Sequence, residues 1–267
     1  MQVVDAVQPQ GPSFSSIDLS ADPRFPIVGN QGGQGSCAAW SGTYYATGFV
    51  QAVLHGWTQA YLGNTDQLLS PAWTYNKCNY GEDIGSWQYN NMMVSKTVGC
   101  SRLSHMPYND TNNISWGLED AWRDAPQYRA NTIYTLSKSI SQIKSFIEGG
   151  YPVTFSLDAN SFYYFGVDDV LGSNAMEYGI DHAQTIVGYD DSKTDYETGE
   201  VGAFKIVNSW GAYPFNGYYW ITYTAFLGDW NTWPINSVSP LITVPKLLAV
   251  WYLSPQGDRS ANITVGI

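Results

Sequence analysis

Residues 29–40 read GNQGGQGSCAAW: four glycines and two glutamines take six of the eight positions before Cys37. A helical pattern begins immediately after it. Ala39, Thr43, Ala46, Val50 and Val53 recur at three- and four-residue steps, so we expect one helix face that Gly56 ends. A sulfur in the first turn of that helix lies near orphan N–H groups and the positive end of the helix dipole, and both favour a thiolate. The glycines let a backbone pass close to a bound chain. On residues alone the stretch permits a nucleophile at Cys37 without demanding one. Either Gln31 or Gln34 could supply a side-chain amide beside the sulfur.

A thiol nucleophile needs a base, and the chain has three histidines, His55, His105 and His182. His55 falls at the end of the predicted helix and His105 in a polar loop, where both read as surface residues. His182 follows Asp181 and opens an apolar strand. A cysteine facing an imidazole, with a third group orienting the ring and amide donors for the oxyanion, is the minimum set for acyl transfer through sulfur.

The remaining composition narrows the setting. The chain has 267 residues, a net charge of −11 and only 13% charged residues, against about 25% in ordinary soluble domains. The acidic balance argues against a nucleic-acid partner. Neutral polar groups and aromatics replace Lys and Glu, which suits a secreted or cell-surface protein. No apolar run is long enough to span a membrane. Besides Cys37 there are two cysteines, Cys78 and Cys100, both in Gly/Asn/Ser-rich surroundings. A disulfide between them would stabilise by about 3 kcal/mol in the chain-entropy model and leave Cys37 the single free thiol. Sequons stand at Asn109, Asn113 and Asn262. The acidic run at residues 190–195 reads as a solvated turn between strands, since it lacks the glycine and terminal glutamate of a calcium loop. No metal or cofactor is expected.

Helices come first. Ser70-Pro71 opens a second one as N-cap and first residue, residues 87–98 form a third, and Ser139-x-x-Gln142 is a capping box that Gly149-Gly150 closes. Strands follow at residues 152–157, 184–189, 203–208 and 218–223, with a last candidate at 247–253. Helices followed by strands predict an α+β protein of two lobes with a substrate cleft between them.

With these residues in order, the sequence resembles the papain-like cysteine peptidases. The matching blocks are Asn30-Gln31-Gly32, Gly35-Ser36-Cys37, Asp181-His182-Ala183, Asn208-Ser209-Trp210-Gly211 and Asn216-Gly217-Tyr218. The resemblance implies a papain-like two-lobed fold, with a helical lobe carrying the nucleophile and a β-barrel-like lobe carrying His and Asn. It implies Cys37 as nucleophile, His182 as general base and later acid, and Asn208 as the residue that orients His182. Trp210 would cover that pair, and Gln31 rather than Gln34 would serve the oxyanion. Gly85 would pair with the substrate backbone, and Ser156 and Ala183 would line the pocket for the second residue upstream of the scissile bond.

There are departures from the family pattern. Gln34 replaces a cysteine and Ala38 a tryptophan, and no long inhibitory propeptide precedes the matching region. The expected organisation is a polar lead-in at 1–12 and a catalytic domain at 13–253. Its helical lobe covers about 30–135 and its β lobe about 136–253, with an aperiodic insertion at 229–245 and a tail or linker at 254–267. The expected activity is a cysteine endopeptidase acting on a peptide or protein substrate. The alternatives are a transpeptidase using the same acyl-enzyme, or a non-catalytic surface binding module.

Overall fold

The computed structural model describes residues 14–166, 168–228 and 235–240. Its first long helix starts at the cysteine, running through α1 (Cys37–Ala39), a π-helical stretch (Trp40–Thr47) and α2 (Gly48–His55). Within the π stretch Thr47 Oγ1 donates back to Gly42 O at 2.7 Å, across the widened turn. Almost every residue from Ala38 to Ala52 is buried. The predicted apolar face is therefore only part of what this helix hides, and Val53 at its far end is exposed. Gly56 closes it in the left-handed conformation, as expected.

The other helices of this half are α3 (Pro71–Cys78), α4 (Gln88–Thr97) and α5 (Glu119–Asp124). Ser70 occupies the N-cap of α3, but its side chain makes no capping bond. Leu69, Trp73, Cys100 and Met106 lie in the core beneath these helices. Gly99 connects α4 to this core. Its φ is +90°, and a Cβ there would lie 1.9 Å from Ala125 O. Gly99→Ala should lower stability by roughly 3 kcal/mol or more, read as the urea midpoint. A midpoint within experimental error of the parent would contradict this packing.

The second half is a sheet built from β1 (Ser16–Asp18), β2 (Ala130–Leu136), β3 (Val153–Leu157), β4 (Val170–Leu171), β5 (His182–Thr194), β6 (Val201–Val207), β7 (Tyr218–Thr222) and β8 (Ile235–Pro240). The order among the described residues is β2-β8-β3-β5-β6-β7-β4, with β1 pairing with β5. Among the described residues only β4 with β7 is parallel. Helices α6 (Ile140–Glu148) and α7 (Tyr223–Leu227) accompany it. The capping box of α6 is half made: Ser139 Oγ accepts from Gln142 N, while Gln142 Oε1 takes Ser137 N and Oγ instead. Phe155, Ile186, Phe204, Tyr219 and Phe226 fill the core of this half. The expected α+β class is thus present, with helices in the first half and one sheet in the second.

Three readings change. The aperiodic insertion contributes β8, which sits between β2 and β3. Its residues Ile235 to Val238 are all buried, and the polar ones are bonded: Asn236 O accepts from Thr154 Oγ1, and Ser237 Oγ donates to Pro152 O. Burial on both faces removes the alternation that marks a strand in sequence. The acidic run at 190–194 is strand rather than turn, because β5 extends to Thr194 and Asp191 pairs with Lys144 at 2.7 Å. The Cys78–Cys100 disulfide is absent, and all three cysteines are free. Cys78 lines the cleft, whereas Cys100 is buried in the core with its thiol donating to Ser70 O at 3.5 Å. The strand candidate at 247–253 and the tail lie outside the described residues. Among the described residues no helix is long and apolar enough to cross a membrane.

Candidate active site

A cleft of about 770 Å³ separates the helices from the sheet. Gln31, Gly35, Cys37, Cys78 and Gly85 line it from the helical side, and Ser156, His182, Ala183 and Trp210 from the sheet side. Cys37 is the first residue of its helix and Ser36 its N-cap. Ser36 Oγ is 2.7 Å from Tyr108 OH, which donates to Gln31 O at 2.7 Å, so the glycine-rich loop is braced from behind.

His182 is the first residue of β5, where its backbone pairs with Leu157. Its Nε2 lies 2.7 Å from Asn208 Oδ1. The tautomer follows from the surrounding bonds. Ser209 N–H, which can only donate, reaches the same Asn208 atom at 2.8 Å, so that atom is the oxygen. Asn208 Nδ2 donates to Tyr213 O at 3.1 Å, consistent with this assignment. His182 must then carry its proton on Nε2, which leaves the Nδ1 lone pair to accept one. Trp210 stacks on the imidazole at 4.3 Å between centroids and 21° between planes.

Gln184 also donates to Asn208 Oδ1, at 3.1 Å, and its own Oε1 accepts from Tyr219 OH. Sequence reasoning missed this Gln184–Tyr219 support. The only signal was one glutamine inside an apolar strand.

The two glutamines left open by the loop are separated here. Gln31 Oε1 accepts from Ser209 Oγ at 2.7 Å, and its Nε2 donates to Gln34 O at 2.9 Å, which leaves one amide proton for a ligand in the cleft. Gln34 is buried, with Nε2 3.5 Å from Asp110 O. Ser156 Oγ accepts from Gln88 Nε2 at 2.9 Å. Gly85 has φ +86°, and its N would lie 3.2 Å from a Cβ placed on Gly35. The two segments therefore pass closely, with little room for a side chain on Gly35.

Burial dominates the electrostatics. It pushes the Cys37 thiol up, with the backbone N–H groups of Ala183 and Ala38 acting against it. It pulls His182 down to about 4, although the Asn208 bond and the Asp181 charge favour the imidazolium. Burial thus disfavours the thiolate at Cys37 and the imidazolium at His182, the two side chains that line the cleft from opposite walls. Among the described residues no cluster of His, Cys, Asp and Glu is arranged to hold a metal ion.

The family model described as "Papain family cysteine protease" matches residues 15–229. No curated protein matches the chain significantly by sequence. Among solved structures, xylellain, a cysteine protease from Xylella fastidiosa, is 19% identical with a TM-score of 0.67, over 85% of this chain and 87% of that one. The cysteine protease and lectin-like domains of Cwp84, a surface layer associated protein of Clostridium difficile, are 20% identical with a TM-score of 0.64, over 90% and 55%. The bromelain protease from Ananas comosus, in complex with the E64 inhibitor, is 19% identical with a TM-score of 0.62, over 86% and 100%. At these identities the likeness carries the fold.

Proposed function

The chain belongs to the papain family of cysteine proteases, and from that premise we propose that it cleaves peptide bonds through an acyl-thioester on Cys37. The observation that carries this reading is one cleft holding Cys37, Gln31 and His182, with Asn208 fixing the ring so that Nδ1 is its free base. Cys37 Sγ attacks the substrate carbonyl carbon as His182 Nδ1 takes the thiol proton. The oxyanion that forms accepts from the Gln31 amide and the Cys37 N–H. Collapse expels the amine, which takes the proton back from His182. Water then repeats the sequence on the thioester, giving a carboxylate and the free thiol. Trp210 keeps water from the His182–Asn208 bond. The low charge content of the chain and the surface-layer association of Cwp84 favour an extracellular setting.

Mass spectrometry of peptide products with and without a primary-amine acceptor tests the second half-reaction. Hydrolysis gives free carboxyl ends at all acceptor concentrations, and a predominantly ligated product would overturn it in favour of aminolysis.

Gln184 is a positioning residue in this account. Gln184→Met removes one donor from Asn208 Oδ1 and leaves the Tyr219 hydroxyl without its acceptor. We expect kcat to fall about tenfold. The acid limb of the pH profile should rise, because the freed Asn208 oxygen binds the imidazolium better. An unmoved acid limb would mean that Gln184 merely fills the core.

A further inference from the structure

We propose that Asp110 and Tyr108 are positioning residues for the oxyanion: they hold the glycine-rich loop so that the free amide proton of Gln31 stays at the cleft. This rests on the hydrolytic reading above and adds to it what fixes the Gln31 donor.

Gln31 does not set its own amide plane. Its Nε2 donates to Gln34 O, three residues further on, and its Oε1 accepts from Ser209 Oγ. The amide therefore depends on where the loop carries the Gln34 carbonyl. Asp110 fixes that stretch twice: Gly33 N donates to its Oδ2 at 3.1 Å, and Gln34 Nε2 reaches its backbone oxygen at 3.5 Å. The carboxylate is seated against the loop at Gly32, where φ is +59° and a Cβ would lie 2.1 Å from Oδ2. Tyr108 ties the loop to the nucleophile's helix. Its hydroxyl donates to Gln31 O and lies 2.7 Å from Ser36 Oγ, and its ring packs edge-on against Trp40 at 4.9 Å. Asp83 holds the other end of the loop, with Oδ1 accepting from Gly35 N at 2.9 Å.

The segment that carries Asp110 and Tyr108 lies between α4 and α5 and is itself anchored. Asn76 Nδ2 donates to Asn112 O at 3.2 Å and to Ser115 O at 2.9 Å, and Asn79 Nδ2 donates to Asn113 O at 2.7 Å. Both asparagines are buried. Asn109 Oδ1 accepts from Thr111 N at 3.0 Å, which sets the turn at Asp110. Neither Asp110 nor Tyr108 lines the cleft, so their effect on the chemistry has to pass through the loop. A donor serves an oxyanion only at hydrogen-bond distance from where the charge develops, so a displaced Gln31 costs rate rather than ground-state binding.

The test compares kcat and KM on one peptide with the rate at which iodoacetamide alkylates Cys37, a reaction that develops no oxyanion. Asp110→Ala and Tyr108→Phe should each lower kcat about tenfold, with KM within about twofold and the alkylation rate at the parent's. Asp110→Asn keeps an acceptor for Gly33 N and should recover most of the lost rate. In a Gln31→Ala background Asp110→Ala should cost about twofold or less, because the donor it positions is gone. A full tenfold cost in that background overturns the inference. So does an unchanged kcat in both single variants, or an equal fall in hydrolysis and alkylation, which marks a merely structural tie. These three outcomes leave the peptidase reading standing. A Gln31→Ala protein as active as the parent overturns the oxyanion role of Gln31 and this inference with it, and a parent that hydrolyses no peptide overturns the peptidase reading itself.

Discussion

Cys37→Ala is expected to reduce kcat/KM by about 10⁴-fold or more, with the urea midpoint close to that of the parent. The two halves of this expectation have different physical origins. Removing sulfur removes the atom that forms the covalent intermediate, and no other thiol can take its place. Cys100 is buried in the core, and burial pushes the Cys78 thiol up to about 11. The folding cost is small because Cys37 is only half-buried at a helix start, and alanine is a good helix former. Steady-state kinetics on one peptide, with a denaturation curve on the same sample, checks both halves. Turnover within tenfold of the parent would place the chemistry elsewhere.

The pH dependence is the second large effect. Burial pulls His182 down to about 4 from its ordinary 6.5 and pushes the Cys37 thiol up. The acid limb of kcat/KM should therefore lie near pH 4, and the alkaline limb above the ordinary thiol range. Any attraction within a thiolate–imidazolium pair only widens this plateau. It makes adding a proton to the pair harder and removing one harder too.

The same shift acts on stability. Between pH 6.5 and about 4 the unfolded chain protonates His182 while the native protein does not. The unfolded state then binds more protons, and stability falls as the solution is acidified through that window. The full loss is about 3 kcal/mol from this residue alone. His182→Ala should remove the slope as well as the activity, which urea midpoints at pH 7 and pH 4.5 would reveal. An acid limb at pH 6.5, with no difference in slope between the two proteins, would mean that the imidazole is solvated.

Much of this site was legible in one sequence because its chemistry needs distinct residue types. A glycine-rich loop before a cysteine, a histidine opening an apolar strand and an Asn-Ser-Trp block leave few other arrangements. The structure brings Gln31, Cys37 and His182 to one cleft, with Asn208 behind the imidazole. The parts that escaped notice depend on long-range partners. Asp83 means little until its carboxylate is seen on Gly35 N, 48 positions earlier. Gln184 looks like a stray polar residue until Asn208 and Tyr219 stand on either side of it. β8 was hidden because its polar residues are satisfied inside the sheet, so burial left no apolar alternation to read. The expected Cys78–Cys100 bridge failed for a related reason. Spacing along the chain gives a plausible loop but does not say which way each sulfur points.

The most direct test of the central claim is stoichiometric alkylation with iodoacetamide at pH 5, followed by peptide mapping. At that pH an ordinary thiol, with a pKa of about 8.5, is almost wholly protonated and slow to react. Burial leaves Cys37 less thiolate than glutathione has at that pH, so an excess rate has to come from His182 Nδ1 taking the thiol proton during attack. On this account Cys37 should take up one label per chain faster than glutathione does. Activity should fall in step with labelling, and His182→Ala should abolish the excess rate. Labelling no faster than glutathione, or full labelling of Cys37 with turnover intact, would contradict the account.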